Sequence, residues 1–81
     1  MKKITVYTKD NCIQCYHTKK FLDDNEIPYS LINVTNDEAV KNDLKEHKFG
    51  SVPVVVPGSF DKAWAGFQPD RLKELVEQWK K

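Results

Sequence analysis

The chain has 81 residues, 40% hydrophobic and 31% charged, and its 13 basic and 12 acidic side chains leave a formal charge of +1. That length accommodates one small domain, residues 1–81, with no second core. The basic pairs Lys2–Lys3, Lys19–Lys20 and Lys80–Lys81 are too short to track phosphates, and the longest apolar run, Val52 to Pro57, is too short to span a bilayer. Neither nucleic acid nor a membrane is therefore an expected partner. Lys9 and Asp10 interrupt any leader-like apolar core, so the expected location is the cytoplasm.

Ile4-Thr5-Val6-Tyr7 alternates β-branched and aromatic residues and predicts a first strand. A turn at Asp10-Asn11 precedes a helix with Cys12 and Cys15 at its start and Phe21 and Leu22 on its core side. Pro28 breaks that pattern, and Tyr29 to Val34 reads as a second strand. Thr35 and Glu38 have the spacing of a capping box. The helix that follows runs to about Lys48, with Val40 and Leu44 on one face and Gly50 as its left-handed terminator. Val52-Pro53-Val54-Val55-Val56 reads as a strand buried on both faces, Pro57-Gly58 as a turn and Ala63-Trp64-Ala65 as a short return strand. The last helix opens with Pro69, complements its dipole with Asp70, and buries Leu72, Leu75, Val76 and Trp79. The order is β-α-β-α-β-β-α. The first βαβ unit should be parallel and right-handed and the last strand pair antiparallel, giving an α/β domain with a mixed four-stranded sheet and three flanking helices.

Cys12 and Cys15 are the only cysteines, and three roles are open to them. As a staple they would close a loop of four residues, removing only about 2 kcal/mol of unfolded-state entropy. As metal ligands they could combine with His17, but a closed zinc site needs a fourth ligand, and only a dimer sharing two such pairs would supply it. As a reagent they suit their position. A cysteine at a helix N-terminus faces unpaired amides and the positive end of the dipole, which favours the thiolate. A second cysteine one turn on can attack the mixed disulfide that the first one forms. C-x-x-C beside a βαβ pattern is a redox signature. Val52-Pro53 fits this reading, because a cis bond there would leave the Val52 backbone free to pair with an extended substrate segment.

With these elements the whole chain resembles the thioredoxin fold, and ITVYTKDNC resembles its glutaredoxin-like branch. Cys12-Ile13-Gln14-Cys15 together with Trp64-Ala65-Gly66-Phe67-Gln68-Pro69-Asp70 resembles the NrdH-redoxins, which have glutaredoxin-like sequences and thioredoxin-like activity. The resemblance implies a monomeric dithiol carrier that reduces protein disulfides. It would donate electrons to a class Ib ribonucleotide reductase and be recharged by thioredoxin reductase. No cofactor or metal would be bound, NADPH and FAD entering only through the reductase. It further implies Cys12 as nucleophile, Cys15 as resolving thiol and Pro53 as a cis-proline opposite them. Lys9, Ile13, Gln14, Val52, Gly66 and Phe67 would meet the partner, while Trp64, Pro69 and Asp70 would form a structural motif.

The chain departs from that family at three places. Asp10 stands where proline is frequent, and a carboxylate two residues before Cys12 disfavours the thiolate unless Lys9 screens it. Ala65 and Gln68 replace Ser and Arg, so the hydrogen bonds of those side chains are not expected. The turn from Pro57 to Lys62 is long. Two rival functions follow: a glutathione-dependent glutaredoxin, for which Gly58 stands without a second glycine, and a metal or iron–sulfur binding module.

Overall fold

Ile4–Thr8 forms β1 in a computed structural model that describes residues 3–79. Its alternation is realised directly: Ile4, Val6 and Thr8 are buried, while Thr5 and Tyr7 are half-buried. The chain continues through α1 (Ile13–Asp24), β2 (Ser30–Asn33), α2 (Glu38–Glu46), β3 (Val54–Pro57), β4 (Trp64–Ala65) and α3 (Pro69–Trp79), with one 3-10 turn at Phe60–Lys62. The sheet order is β2-β1-β3-β4. β1 runs parallel to β2 and antiparallel to β3, and β3 and β4 are antiparallel. This is the thioredoxin fold. Among the described residues no helix is long and apolar enough to cross a membrane.

The sheet is covered on both faces, which explains the unbroken apolar run of β3. Val55 joins Ile4, Val6 and Trp64 in a cluster with Leu22 of α1 and Leu72 and Leu75 of α3. Val54 and Val56 point the other way, against Leu44 of α2 and Val34. Each such side chain contributes about 1.5–3 kcal/mol on burial. Trp64 is a core residue with its indole Nε1–H buried and unpartnered, and the Arg71 guanidinium lies 5.9 Å from its ring centroid. After α1, Tyr29 ties the loop back by donating its hydroxyl to Asp23 Oδ1 at 3.1 Å. Burial, then that bond and the Asp23 charge, push its phenol up to about 12.

Several boundaries differ from the sequence reading for local reasons. The N-cap of α2 is Asp37, whose Oδ1 accepts from the Val40 amide at 3.1 Å, so Thr35 and Glu38 form no capping box. Thr35 Oγ1 accepts instead from the Asp10 amide. The helix stops at Glu46, and Lys48, not Gly50, adopts the left-handed conformation beyond it (φ 68°). β3 begins only at Val54, after the cis peptide bond between Val52 and Pro53, so Val52 and Pro53 precede the ladder. β2 is likewise shorter than Tyr29 to Val34. The long Pro57–Lys62 connection is ordered by Phe60, which stacks on His47 at 3.8 Å.

Candidate active site

The site grows out of the end of β1. Asn11 takes a left-handed conformation (φ 56°) that short polar residues tolerate, and this turns the chain into α1. The turn is fixed to the neighbouring strand: the Asp10 amide donates to Thr35 Oγ1 at 2.8 Å, and Asp10 Oδ1 accepts from Asn33 Nδ2 at 2.9 Å. Cys12 is then the N-cap of α1, its Sγ accepting from the Cys15 amide at 3.2 Å. Sulfur thus occupies the place where a Ser or Asp oxygen usually satisfies a free helix amide. No acidic residue stands in the first turn of α1 to offset the positive end of its dipole.

The two sulfurs are joined as a disulfide, and their Cα atoms are 5.2 Å apart. Their exposures are unequal: Cys15 is 1% exposed, whereas Cys12 is only half-buried. An incoming partner can therefore reach Cys12, while Cys15 can reach only Cys12.

Around the pair, three separate chain segments are linked by one side-chain and one backbone acceptor. Gln14 Oε1 accepts from the Phe67 amide at 3.1 Å, and the Gly66 amide donates to the Pro53 carbonyl at 2.7 Å. The cysteine loop, the cis-proline and the hairpin-to-helix segment are thereby tied to one another. Gly66 permits this with φ +85°, and a side chain there would begin 3.4 Å from Gln14 Oε1. Phe67 also rests against His17, centroids 5.6 Å apart. Gln68, where the resemblance would place arginine, makes its own bond from Nε2 to the Ala65 carbonyl at 2.8 Å.

Lys9 is exposed and lies between two grooves. One, of about 270 Å³, has Val52, Phe49 and Leu44 in its wall together with Lys41 and Lys45. The other, of about 540 Å³, holds Cys12 and Ile13. Val52 and Cys12 thus face different grooves that meet at Lys9. Pro69 and Asp70 lie exposed in the first turn of α3. Trp64 faces the core instead of these grooves.

Thr8 was not singled out by its sequence context. It is 3% exposed, its hydroxyl has no partner, and it lines the Cys12 groove. The alternation Ile4, Val6, Thr8 is the signal that points inward to it.

The Asp10 carboxylate shares the Cys12 groove while holding the Asn33 amide. Asp10→Asn keeps a carbonyl acceptor for that bond and removes only the charge. It is expected to lower the pKa of the reduced Cys12 thiol, which a titration followed by thiolate absorbance would show as an earlier rise. An unchanged titration curve would mean that the Asp10 charge does not reach Cys12.

A helix-capping, reachable cysteine with a buried partner one turn on, in a thioredoxin fold, defines a thiol–disulfide oxidoreductase. The chain belongs to the glutaredoxin family, whose model matches residues 4–60, and within it to the NrdH-redoxins. The glutaredoxin-like protein NrdH of Lactococcus lactis subsp. cremoris (strain MG1363) is 36% identical over 73 residues, spanning 90% of this chain and 99% of that protein. NrdH of Escherichia coli (strain K12) is 34% identical over 73 residues, spanning 90% of this chain and 88% of that one. The solved structure of Escherichia coli NrdH-redoxin, a glutaredoxin-like protein with a thioredoxin-like activity profile, aligns with a TM-score of 0.83 at 34% identity. That alignment covers 90% of this chain and 93% of the other.

Proposed function

We propose that this chain is a cytoplasmic, monomeric dithiol carrier that donates electrons to a class Ib ribonucleotide reductase and is recharged by an NADPH-dependent thioredoxin reductase. The observation that carries the reading is the placement of Cys12 Sγ, capped by the Cys15 amide at the start of α1 and reachable from solvent. The NrdH relatives and the thioredoxin-like profile of the Escherichia coli protein support the choice of partners.

In the reduced form the Cys12 thiolate attacks one sulfur of a partner disulfide. A Cys12–partner S–S bond forms as the partner's own S–S bond breaks, and the leaving thiolate takes a proton. Cys15 then loses its proton and attacks Cys12 Sγ, expelling the second partner thiol and closing the Cys12–Cys15 bridge. Two electrons pass to the partner, and no resident cofactor is needed. The reductase's flavin returns them from NADPH.

The test is NADPH oxidation by thioredoxin reductase with this protein and a disulfide acceptor, run beside glutathione and glutathione reductase. Oxidation through thioredoxin reductase alone is the expected result and leads on to ribonucleotide reductase as acceptor. Activity only with glutathione would make the chain a glutathione-dependent carrier and overturn the assignment of partners.

A further inference from the structure

The most exposed large apolar side chains among the described residues are Ile13 at 72%, Tyr16 at 56% and Leu31 at 49%. They are not scattered. All three line the groove of about 540 Å³ that also holds Cys12. Ile13 and Tyr16 are three residues apart on α1 and so neighbours on its surface. Leu31 lies on β2, the edge strand, in register with Val6, and therefore on the sheet face that α1 covers. An apolar cluster left open beside a reactive sulfur, outside the folded core, points to a partner.

The charges say what kind of partner. Lys9 and Lys19 line this groove, and neither forms an ion pair among the described residues, whereas the neighbouring Lys20 is paired with Asp24 at 3.6 Å. The groove holds one carboxylate, Asp10, which is held in place by the Asn33 amide and keeps its charge. The groove therefore offers an apolar floor, two lysines against the single carboxylate of Asp10, and a sulfur. Positive charge is in excess even though Lys19 also borders Asp23 and Asp24 on its far side. None of Gln14, Val52, Pro53, Gly66 or Phe67 lines it, so it is distinct from the surface on the cis-proline side.

We propose that the α1–β2 groove is a second docking surface, occupied by an extended, cysteine-bearing protein segment with a large apolar side chain and an adjacent carboxylate. Leu31 and Tyr16 receive the apolar side chain and Lys19 the carboxylate, while the segment's sulfur meets Cys12. The proposal rests on Cys12 being the attacking thiol and adds a rule for which disulfides it attacks.

The test uses the full chain, reduced beforehand, in single-turnover exchange with synthetic peptides each closed by an internal disulfide. The peptides differ only beside one cysteine, which is followed by Leu-Asp, Leu-Lys or Ser-Asp. The Leu-Asp peptide is expected to react about tenfold faster than Leu-Lys, through charge complementarity in the encounter. Lys19→Glu should invert that order, a result that loss of folding could not produce. Leu31→Ser should remove the preference for Leu-Asp over Ser-Asp by weakening half-saturation while the limiting rate stays.

Equal rates for all three peptides, or a Leu-Asp preference untouched by Lys19→Glu, would overturn the proposal. So would a Leu31→Ser variant that turns a dimer into a monomer in sedimentation with peptide rates unchanged, because the face would then belong to a second copy of the chain. A small symmetric disulfide separates the two levels of argument. Failure to react even with it overturns the reading of Cys12 and the groove together; reaction with it but indifference to the flanks overturns the groove alone.

Discussion

Cys12→Ser is expected to abolish protein-disulfide reduction while leaving the fold nearly intact. Serine is a favoured N-cap, so its Oγ can accept the Cys15 amide bond that Sγ accepts now at 3.2 Å. What is lost is the nucleophile, and turnover should fall on the order of a thousandfold or more, to the background of the assay. Cys12→Ala makes the contrast: it removes the cap as well, costing about 1 kcal/mol of stability, seen as a lower melting temperature of the reduced protein. The partner variant behaves differently. With Cys15 replaced, the first exchange proceeds and then stops, so a mixed disulfide between Cys12 and the partner should accumulate and be visible as an intact mass. Because Cys15 is buried, alanine is a better choice than serine, whose hydroxyl would be placed in an apolar surrounding. Residual turnover in Cys12→Ser, or absence of a trapped complex with Cys15→Ala, would reverse or remove the two roles.

Much of this was readable in the chain because the relevant signals are local. The alternation of β1, the unbroken Val54 to Val56 run and the apolar face of α3 each report burial that the structure realises. Cys12 and Cys15 need only their spacing and a preceding turn to be placed at a helix start. The misplacements arise where two local solutions compete. Thr35 and Asp37 could each cap α2, and the carboxylate does so because the Thr35 hydroxyl is taken by Asp10, 25 residues away in sequence. Lys48 turns left-handed although Gly50 stands two residues further on, because the Phe49 amide returns to the Leu44 carbonyl at 2.9 Å and fixes the reversal there.

The remainder depends on contacts between distant segments. Nothing in the sequence near Gln14 announces that its amide oxygen will receive the Phe67 amide, 53 residues on. Nor does Leu31 look unusual, since an alternating edge strand hides whether its cover extends far enough. The apolar groove beside Cys12 exists because α1 leaves part of β2 open, which is a matter of packing. A sequence motif can therefore place the sulfur. What lies beside the sulfur, and hence which partners it accepts, is decided by the fold.

Gly66→Ala is expected to damage both stability and turnover, in contrast to Gly50→Ala. At Gly66 the backbone has φ +85°, a region in which an L side chain is strained. The strain should cost about 1–3 kcal/mol, a large share of the stability of an 81-residue chain. The new Cβ itself is the lesser problem, because it would sit 3.4 Å from Gln14 Oε1, the far end of a side chain that can give way. If the backbone relieves its strain by rotating, the Gly66 bond to the Pro53 carbonyl and the adjacent Phe67 bond to Gln14 are both lost. The cysteine loop is then uncoupled from the cis-proline. Gly66→Asn should fall between glycine and alanine, since asparagine tolerates left-handed backbone better. Gly50 has no positive φ and open space where a Cβ would go, so alanine there should shift stability by no more than about 0.5 kcal/mol. Melting curves of the reduced proteins, with exchange rates measured on the same samples, would test the order. Equal effects at the two glycines would mean that the Gly66 conformation neither limits the fold nor holds the site together.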